Sequence, residues 1–196
     1  MANLVITIGR ENGSGGRQLG SELAAVLGVK CYDSELINET AKASGFAKSF
    51  VETHEEQRPG SFLYSLVTGG GVVADEQPFP VQIFQAQSEV IRTIAARESC
   101  VIVGRCADYI LRDRKDCLHV FICSDMASRA RRIVERYGQT QKAPEKRLAE
   151  KDQKRKVYYK NYTGRVWGQA QNYDICLNSG ALGVDTCTDM IVQLCK

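Results

Sequence analysis

The stretch IGRENGSGGRQL, residues 8–19, lies between two apolar patterns of different period. Before it, residues 4–8 form a short apolar run rich in β-branched side chains, which is typical of a buried strand. After it, residues 19–27 carry leucine and valine at helical spacing, and Gly28 stands where the helix would end. The opening unit is therefore predicted to be a strand, a glycine-rich loop and a helix.

The glycines of this loop favour an anion-binding site over an ordinary tight turn. One or two glycines would satisfy a turn, whereas here three lie directly before the helix. Glycines let backbone N–H groups converge on an anion, and the start of a helix directs free N–H groups and its positive dipole end to the same point. We expect the phosphates of a nucleotide to bind at Gly13, Ser14, Gly15, Gly16, Arg17 and Gln18.

The loop departs from the two common nucleotide-binding patterns. In G-x-x-x-x-G-K-[ST] a lysine and a hydroxyl follow the last glycine, but here Gly16 stands at the lysine position, and Arg17 and Gln18 stand where the hydroxyl is expected. Arg17 carries a guanidinium suited to phosphate oxygens, but neither residue replaces a hydroxyl on Mg²⁺. The dinucleotide pattern G-x-G-x-x-G fails as well, because its last glycine falls on Gln18. A catalytically silent nucleotide-binding module and an NAD-type oxidoreductase therefore stay open as alternatives to an enzyme that uses ATP.

The rest of the chain alternates short apolar runs with helical patterns. Continuous apolar strands that alternate with helices indicate an α/β fold with a parallel sheet covered on both faces. Residues 34–58 are expected to be helical, and residues 59–81, which contain three prolines and three consecutive glycines, are expected to form a loop or arm. The further candidate strands are 29–32, 100–103, 118–123 and 173–177, and the further candidate helices are 83–94, 129–136 and 185–194.

Five stretches of the sequence, taken in order, resemble one family of kinases. They are residues 6–17, residues 32–37 after the second strand, residues 101–108 with their Gly-Arg step, the arginines of 129–136, and residues 152–179. Together they span nearly the whole chain. In their order and spacing they resemble the cytidylate-kinase-like family, a branch of the P-loop nucleoside monophosphate kinases.

This resemblance implies a three-layer α/β fold of the P-loop nucleoside monophosphate kinase type, with a five-stranded parallel sheet. It also implies phosphoryl transfer from ATP to a nucleoside monophosphate such as CMP, and Mg²⁺ follows from that chemistry rather than from a motif. It divides the chain into a core (1–33, 99–136 and 166–196), an acceptor-binding arm (about 34–98) and a basic lid (about 137–165).

Residues 129–165 are strongly basic, although the formal net charge of the chain is only +3. Phosphoryl transfer depends on positioning and charge neutralisation, and a segment of cations supplies both. The alternatives are a solvated helical face and a nucleic-acid patch in which Tyr158, Tyr159 and Tyr162 stack bases. A patch leaves the glycine loop unexplained, so we expect no nucleic-acid partner. The expected catalytic residues are Arg17, Arg132 and Arg155, and the expected lid arginines are Arg129, Arg136 and Arg165.

Polar residues end two predicted strands at the edge where parallel sheets bind ligands. Arg105 follows an apolar strand, and a buried strand rarely ends in an arginine that has neither an anion nor a carboxylate partner. Arg105 therefore binds the phosphate of the acceptor or pairs with Asp108 or Asp113. Asp33 binds a ribose hydroxyl or a metal-bound water, or caps the next helix. The candidate acceptor-binding residues are Asp33, Arg105 and Asp108.

The composition excludes several other classes of protein. The apolar fraction is 43% and the charged fraction is 25%, which is ordinary for a globular protein. No apolar run approaches the ~18–20 residues of a bilayer-spanning helix, so we expect a cytoplasmic protein with no signal peptide and no membrane partner. The eight cysteines include no C-x-x-C pair, and a metal site would need tighter ligand clusters. We therefore expect free thiols, no disulfides and no metal site formed by protein ligands alone.

Overall fold

The computed structural model describes residues 3–33, 36, 39, 79–138 and 140–195. The strands are β1 (Val5–Arg10), β2 (Lys30–Tyr32), β3 (Cys100–Val103), β4 (Cys117–Cys123) and β5 (Ile175–Asn178). They form one parallel sheet in the order β2-β3-β1-β4-β5. The predicted α/β class and the five-stranded parallel sheet are therefore confirmed.

Helices of the described residues cover both faces of this sheet. They are α1 (Gly16–Leu27), α2 (Phe79–Arg97), α3 (Ala107–Ile110), α4 (Met126–Tyr137), α5 (Pro144–Thr163), α6 (Ser179–Leu182) and α7 (Val184–Leu194), with a short 3₁₀ turn at Ala170–Asn172. Side chains of β1 alternate between two cores because successive residues of a strand point to opposite faces. Ile6 and Ile8 pack with α1 and α7, whereas Val5 packs with α2, α3 and α5.

The register of the sheet brings the carboxyl ends of its strands to one edge. Ile8 of β1 pairs with Val103 of β3 on one side and with Val120 of β4 on the other. The loops that follow β1 and β3 therefore leave the sheet side by side, and Asp33 follows β2 at the same edge. Open parallel sheets bind their ligands at this edge.

Capping residues end α1 and begin α4. Gly28 follows α1 in a left-handed conformation (φ 67°), which glycine adopts without strain. Asp125 is the N-cap of α4, and its carboxylate accepts a hydrogen bond from the Ser128 N–H. Val26, which belongs to the predicted apolar pattern of α1, is 65% exposed, so the buried face of this helix is narrower than its sequence indicates.

The start of α2 corrects one prediction. Residues 79–81 were expected to belong to a loop or arm, but they form the first turn of α2. Pro80 fits this turn because the first N–H groups of a helix have no intrahelical partner to lose. Residues 59–78 and, apart from Leu36 and Glu39, the predicted helical segment 34–58 lie outside the described residues. The boundaries of the arm and the lid stay predictions.

All eight cysteines are free thiols. Among the described residues, no helix is long and apolar enough to cross a membrane. The same part of the chain contains no group of three or more histidine, cysteine, aspartate or glutamate side chains arranged to hold a metal ion.

Candidate active site

The glycine-rich loop ends in an open helix start. Gly13 and Gly15 adopt positive φ angles of 79° and 82°, and Gly15 is the N-cap of α1 without any side-chain cap. The N–H groups of the first turn therefore have no capping side chain, which is the arrangement that binds anions. The hydroxyl of Ser14 does not face this space, because Ser14 is completely buried and donates a hydrogen bond to the Glu11 carbonyl oxygen (2.9 Å).

Close packing explains why no side chain fits at the two left-handed glycines. A Cβ atom on Gly13 would lie 3.0 Å from the carbonyl oxygen of Arg129 and from Cδ2 of Leu148. One on Gly15 would lie 2.8 Å from Cγ2 of Val184. Helices α4, α5 and α7 thus pack against the side of the loop that faces away from the cavity and determine its shape.

Behind the loop lies a buried ion cluster formed by Glu11, Arg129 and Asp152. Arg129 Nη1 donates to Asp152 Oδ2 (2.5 Å), and the other oxygen of Asp152 accepts from the backbone N–H of Asn12 (2.8 Å). Glu11 accepts from the Ser124 N–H (3.0 Å), and its carboxylate lies 3.7 Å from Arg129 Nε, an ion pair longer than a hydrogen bond. The cluster fastens the loop to α4 and α5.

In front of the loop lies an open ion cluster formed by Arg10, Arg17 and Asp33. The Asp33 carboxylate pairs with Nε of Arg17 and lies 3.9 Å from Nη2 of Arg10. The Arg17 side chain is 58% exposed, whereas the side chains of Arg129 and Asp152 in the buried ion cluster are 8% and 9% exposed. The open ion cluster therefore remains accessible to a ligand.

A cavity of about 560 Å³ lies over the open side of the loop. This volume is typical of a small-molecule site. Three groups of predicted site residues line the cavity: the loop residues, the residues after β2 and β3, and arginines of α4 and α5. They are Gly13, Gly15, Gly16, Arg17 and Gln18; Asp33, Arg105 and Asp108; and Arg132, Arg136 and Arg155.

Two arginines reach back from α4 and α5 to the loop. Arg132 Nη1 donates to the Gly13 carbonyl oxygen (3.1 Å). Arg155 Nη1 donates to the Arg10 carbonyl oxygen (3.3 Å) and lies 3.7 Å from Asp152. The backbone of the loop thus positions both guanidinium groups beside the open start of α1.

The turn after β3 is strained where it meets the cavity. Gly104, Arg105 and Cys106 have φ angles of 84°, 56° and 55°, so two non-glycine residues in succession adopt the left-handed conformation. Such residues are uncommon, cost free energy, and cluster at functional sites. The turn directs Arg105 to the lining of the cavity.

Asp108 is a buried carboxylate at the inner end of the cavity. The Tyr159 hydroxyl donates to its Oδ2 atom (2.5 Å). Burial raises the pKa of Asp108 to about 6, although the Tyr159 hydrogen bond and the charge of Arg165 both act to lower it. Burial also raises the pKa of Tyr159, so this phenol stays protonated and remains a donor.

Three predicted site residues do not line the cavity. Ser14 and Arg129 are buried in the loop support described above. The Arg165 guanidinium lies over the ring of Tyr109 (5.2 Å). Trp167 packs edge-on against Phe121 (5.4 Å between ring centroids) and lines the cavity.

Sequence reasoning assigned no function to Arg10, Glu11 or Asp152. A signal existed for Arg10, since the usual lysine is missing at position 16 and an unassigned arginine ends the first strand. For Asp152 no local signal exists, because it bonds to Asn12 across 140 residues of chain. Only the packing of α5 on the loop reveals that partnership.

Comparisons with known proteins agree with this architecture. The family model of the cytidylate kinase-like family matches residues 5–181. A solved structure of an uncharacterized protein from Eubacterium ventriosum ATCC 27560 is 32% identical, with a TM-score of 0.74 and 98% of both chains covered. No curated protein matches the chain significantly.

More distant solved structures share the fold. A shikimate kinase from Acinetobacter baumannii, in complex with shikimate, is 15% identical, with a TM-score of 0.56 and 98% of this chain and 92% of that chain covered. A gluconokinase from Sinorhizobium meliloti 1021 is 16% identical, with a TM-score of 0.51 and coverages of 98% and 94%. The sheet, the glycine loop and the family match lead to one identification: the chain belongs to the cytidylate kinase-like family and has a P-loop kinase fold.

Proposed function

We propose that the protein transfers a phosphoryl group from ATP to a nucleoside monophosphate such as CMP. The observation that carries this proposal is a single cavity that joins three features: an uncapped helix start behind a glycine loop, polar residues at the ends of β2 and β3, and arginines from two further helices. The family membership supports the same reaction class.

The donor's phosphates would bind at the open side of the loop. Backbone N–H groups of residues 13–18 and the positive end of α1 supply donors and a partial charge there. Arg17 and Gln18 line the same space with their side chains. Ser14 would contribute its backbone only, because its hydroxyl is used within the loop.

The acceptor would bind between Asp33 and Arg105, with Asp108 at the inner end. Arg105 is the natural partner of the acceptor's phosphate, because a guanidinium forms two parallel hydrogen bonds to phosphate oxygens. Asp33 and Asp108 would accept or exchange hydrogen bonds with hydroxyl or amine groups of the acceptor. Both carboxylates line the cavity on the side of β2 and β3.

The charge balance of the cavity favours two phosphate-bearing ligands. Eight arginine and lysine side chains line it, against three carboxylates. Such an excess of cations in one cleft would be costly without anions to neutralise it. In the proposal Arg132, Arg136 and Arg155 neutralise charge that develops on the transferred group, and α5 acts as part of a closing lid.

The chemistry needs no general base. An oxygen of the acceptor's phosphate attacks the γ-phosphorus of ATP, the bond from this phosphorus to the β,γ-bridging oxygen breaks, and ADP leaves with the bonding electrons. A phosphate monoester has lost its second proton at neutral pH, because the corresponding pKa is about 6. No proton therefore has to be removed, which is consistent with Asp33 being held in ion pairs.

Mg²⁺ fits this site through the ligands rather than through a protein cage. Magnesium in such enzymes keeps several waters and binds to phosphates together with one or two carboxylates. The carboxylates that the cavity offers near the loop are those of Asp33 and Glu11, and Glu11 already accepts from the Ser124 N–H. When bound, the ion would neutralise charge on the phosphates of ATP.

A coupled assay with ATP, Mg²⁺ and a panel of nucleoside monophosphates tests the proposal. Shikimate and gluconate belong in the panel, since kinases named for those acceptors share the fold. We expect transfer to a monophosphate, and a loss of about 10²-fold or more in Arg105→Ala. Arg112→Ala, at an exposed arginine paired with Asp113, is the matched control and should keep its activity.

The alternative is a catalytically silent nucleotide-binding module, which the missing lysine at position 16 favours. ATP binding by calorimetry together with no transfer to any acceptor would contradict the proposed activity for this panel. Transfer to shikimate or gluconate alone would contradict the nucleotide acceptor while keeping the kinase.

A further inference from the structure

Two glycines on different elements are in contact with the same side chain. A Cβ atom on Gly16 would lie 2.6 Å from Cβ and 3.1 Å from Cγ of Arg10, and one on Gly104 would overlap the Arg10 guanidinium. The shorter distance to Gly16 is one that real Cβ atoms do not show, and both distances join Gly16 to the base of the Arg10 side chain, whereas the contact at Gly104 is made by its flexible end. Gly16 and Gly104 therefore leave the space that the Arg10 side chain occupies.

The path of this side chain leads into the cavity. Arg10 is the last residue of β1, its stem crosses the first turn of α1, and its guanidinium lies against Gly104 with Nη2 3.9 Å from Asp33. The carbonyl oxygen of Arg10 accepts from Arg155, which holds the backbone in place. The side chain is 21% exposed and lines the cavity, so its charge lies between the loop and the Gly104–Arg105 turn.

Gly16 also stands at the position where the usual loop pattern has its phosphate-binding lysine. A side chain of any kind at position 16 would meet Arg10 first. The missing lysine and the course of Arg10 are thus two aspects of one arrangement, in which a cation enters the same space from the end of β1 instead of from the start of α1.

We propose that Arg10 contacts the phosphoryl group in transfer and supplies the positive charge that a lysine at position 16 supplies in the usual pattern. This inference rests on the proposed function, because it takes the loop as the donor site and the Gly104–Arg105 turn as the acceptor site. Arg10 neutralises charge on the γ-phosphate while the bond from the γ-phosphorus to the bridging oxygen breaks and the bond from the γ-phosphorus to the acceptor oxygen forms. No proton moves in this step.

Arg17 is the less suitable candidate for this role. Its side chain is 58% exposed, against 21% for Arg10, so water screens its charge more strongly. A partly buried guanidinium that is already oriented by neighbours loses less freedom when it binds a phosphate. Arg10 is therefore expected to matter more than Arg17 for the terminal phosphate.

Calorimetric titrations with ATP and with ADP test the inference without relying on turnover. Arg10→Met keeps an apolar stem against Gly16 and removes the charge, and Arg10→Ala removes the stem as well. We expect both variants to bind ATP about 10- to 100-fold more weakly and ADP much less so, because the lost contact is to the terminal phosphate. Arg92→Ala removes an exposed arginine paired with Glu89 and serves as the matched control.

Moving the positive charge from position 10 to position 16 gives a sharper test. Gly16→Lys alone should bind ATP weakly, because its side chain meets Arg10. In the double variant Arg10→Gly with Gly16→Lys, the Cβ and Cγ atoms that the lysine would meet are gone, and we expect ATP affinity to recover to within a few-fold of the parent protein. Thermal unfolding of each variant verifies that the fold is retained.

Failure of the inference and failure of the proposed function give different results. Unchanged ATP affinity in both Arg10 variants, an equal loss for ATP and ADP, or no recovery in the double variant would each overturn the role of Arg10. If no acceptor is phosphorylated by the parent protein while the Arg10 variants lose ATP affinity and keep ADP affinity, the contact to the terminal phosphate is supported and the kinase activity is not.

Discussion

The two ion clusters on either side of the glycine loop differ in burial and in what they hold. The buried ion cluster (Glu11, Arg129, Asp152) bonds to loop backbone and to α4 and α5, and its ion pair is less than one-tenth exposed. The open ion cluster (Arg10, Arg17, Asp33) pairs one carboxylate with two arginines and faces the cavity. Ion pairs of two kinds thus lie on opposite sides of the same loop.

This difference indicates which cluster maintains structure and which is available for binding. A buried charge must keep its partner, because the partner removes most of the cost of taking it out of water. An exposed pair contributes little to stability and can exchange its partner for a ligand at low cost. The loop is therefore expected to depend on the buried ion cluster for its shape and on the open ion cluster for its chemistry.

Removing Asp152 should have the largest effect on stability. Asp152→Ala leaves the Arg129 guanidinium buried without its main partner, which destabilises proteins by about 3–5 kcal/mol. Glu150→Ala, on the same helix, breaks an exposed pair with Lys142 and should leave the free energy of unfolding nearly unchanged. Urea unfolding of both variants measures the difference. Equal losses of stability would mean that the buried Arg129–Asp152 pair contributes no more than the exposed Lys142–Glu150 pair, which contradicts the structural role of the buried ion cluster.

Asp33→Asn should show the opposite pattern. We expect the free energy of unfolding to change by less than about 1 kcal/mol, since the Asp33 ion pairs are partly exposed. Turnover in the coupled assay should fall by about 10²-fold, because the cavity loses the group that orients its two arginines. Asp113→Asn, at another aspartate paired with an arginine, is the control and should leave both quantities unchanged. A large loss of stability in Asp33→Asn would place this residue with the buried ion cluster instead.

Asp108 shows how burial affects the stability contribution of a carboxylate that is not in an ion pair. It is as buried as Asp152, but its hydrogen-bond partner is the Tyr159 phenol rather than a guanidinium, and its pKa is raised to about 6. Between about pH 4 and pH 6 the folded protein holds a proton there that the unfolded chain has lost. Raising the pH through this window therefore removes stability, and the cost is complete above it.

Unfolding measured at pH 4 and at pH 7 tests this prediction. Asp108→Asn keeps an acceptor for Tyr159 and has no charge to bury. The parent protein should lose about 2–3 kcal/mol more than Asp108→Asn between the two pH values. An identical pH dependence in the two proteins would show that Asp108 is not the group that titrates.

Local signals in the sequence were sufficient for the five strands, for helices α1, α2, α4 and α7, and for eleven predicted site residues that line the cavity. Strand β3 was predicted to its exact bounds, whereas α3, α5 and α6 were not predicted as helices. Roles that depend on distant partners were not accessible. Arg129 reads as one more arginine of a basic helix until its contact with Asp152 is known.

The role proposed for Arg10 also depends on residues that are distant in sequence. The missing lysine could be read from the sequence, but its replacement was assigned to the nearest cation, Arg17. The sequence does not show that Gly16 and Gly104 leave room for a side chain from the end of β1. Space between elements is a property of packing, so Arg10 became a candidate for this role only in the fold.

The most direct test of the account is to observe the loop amides while ATP is added. In ¹⁵N-labelled protein, we expect the amide resonances of Gly13, Gly15, Gly16 and Gln18 to shift with ATP and with inorganic tripolyphosphate, and to stay unchanged with cytidine. Shifts confined to residues away from the loop, or no response to tripolyphosphate, would contradict the claim that the open side of the loop binds phosphates.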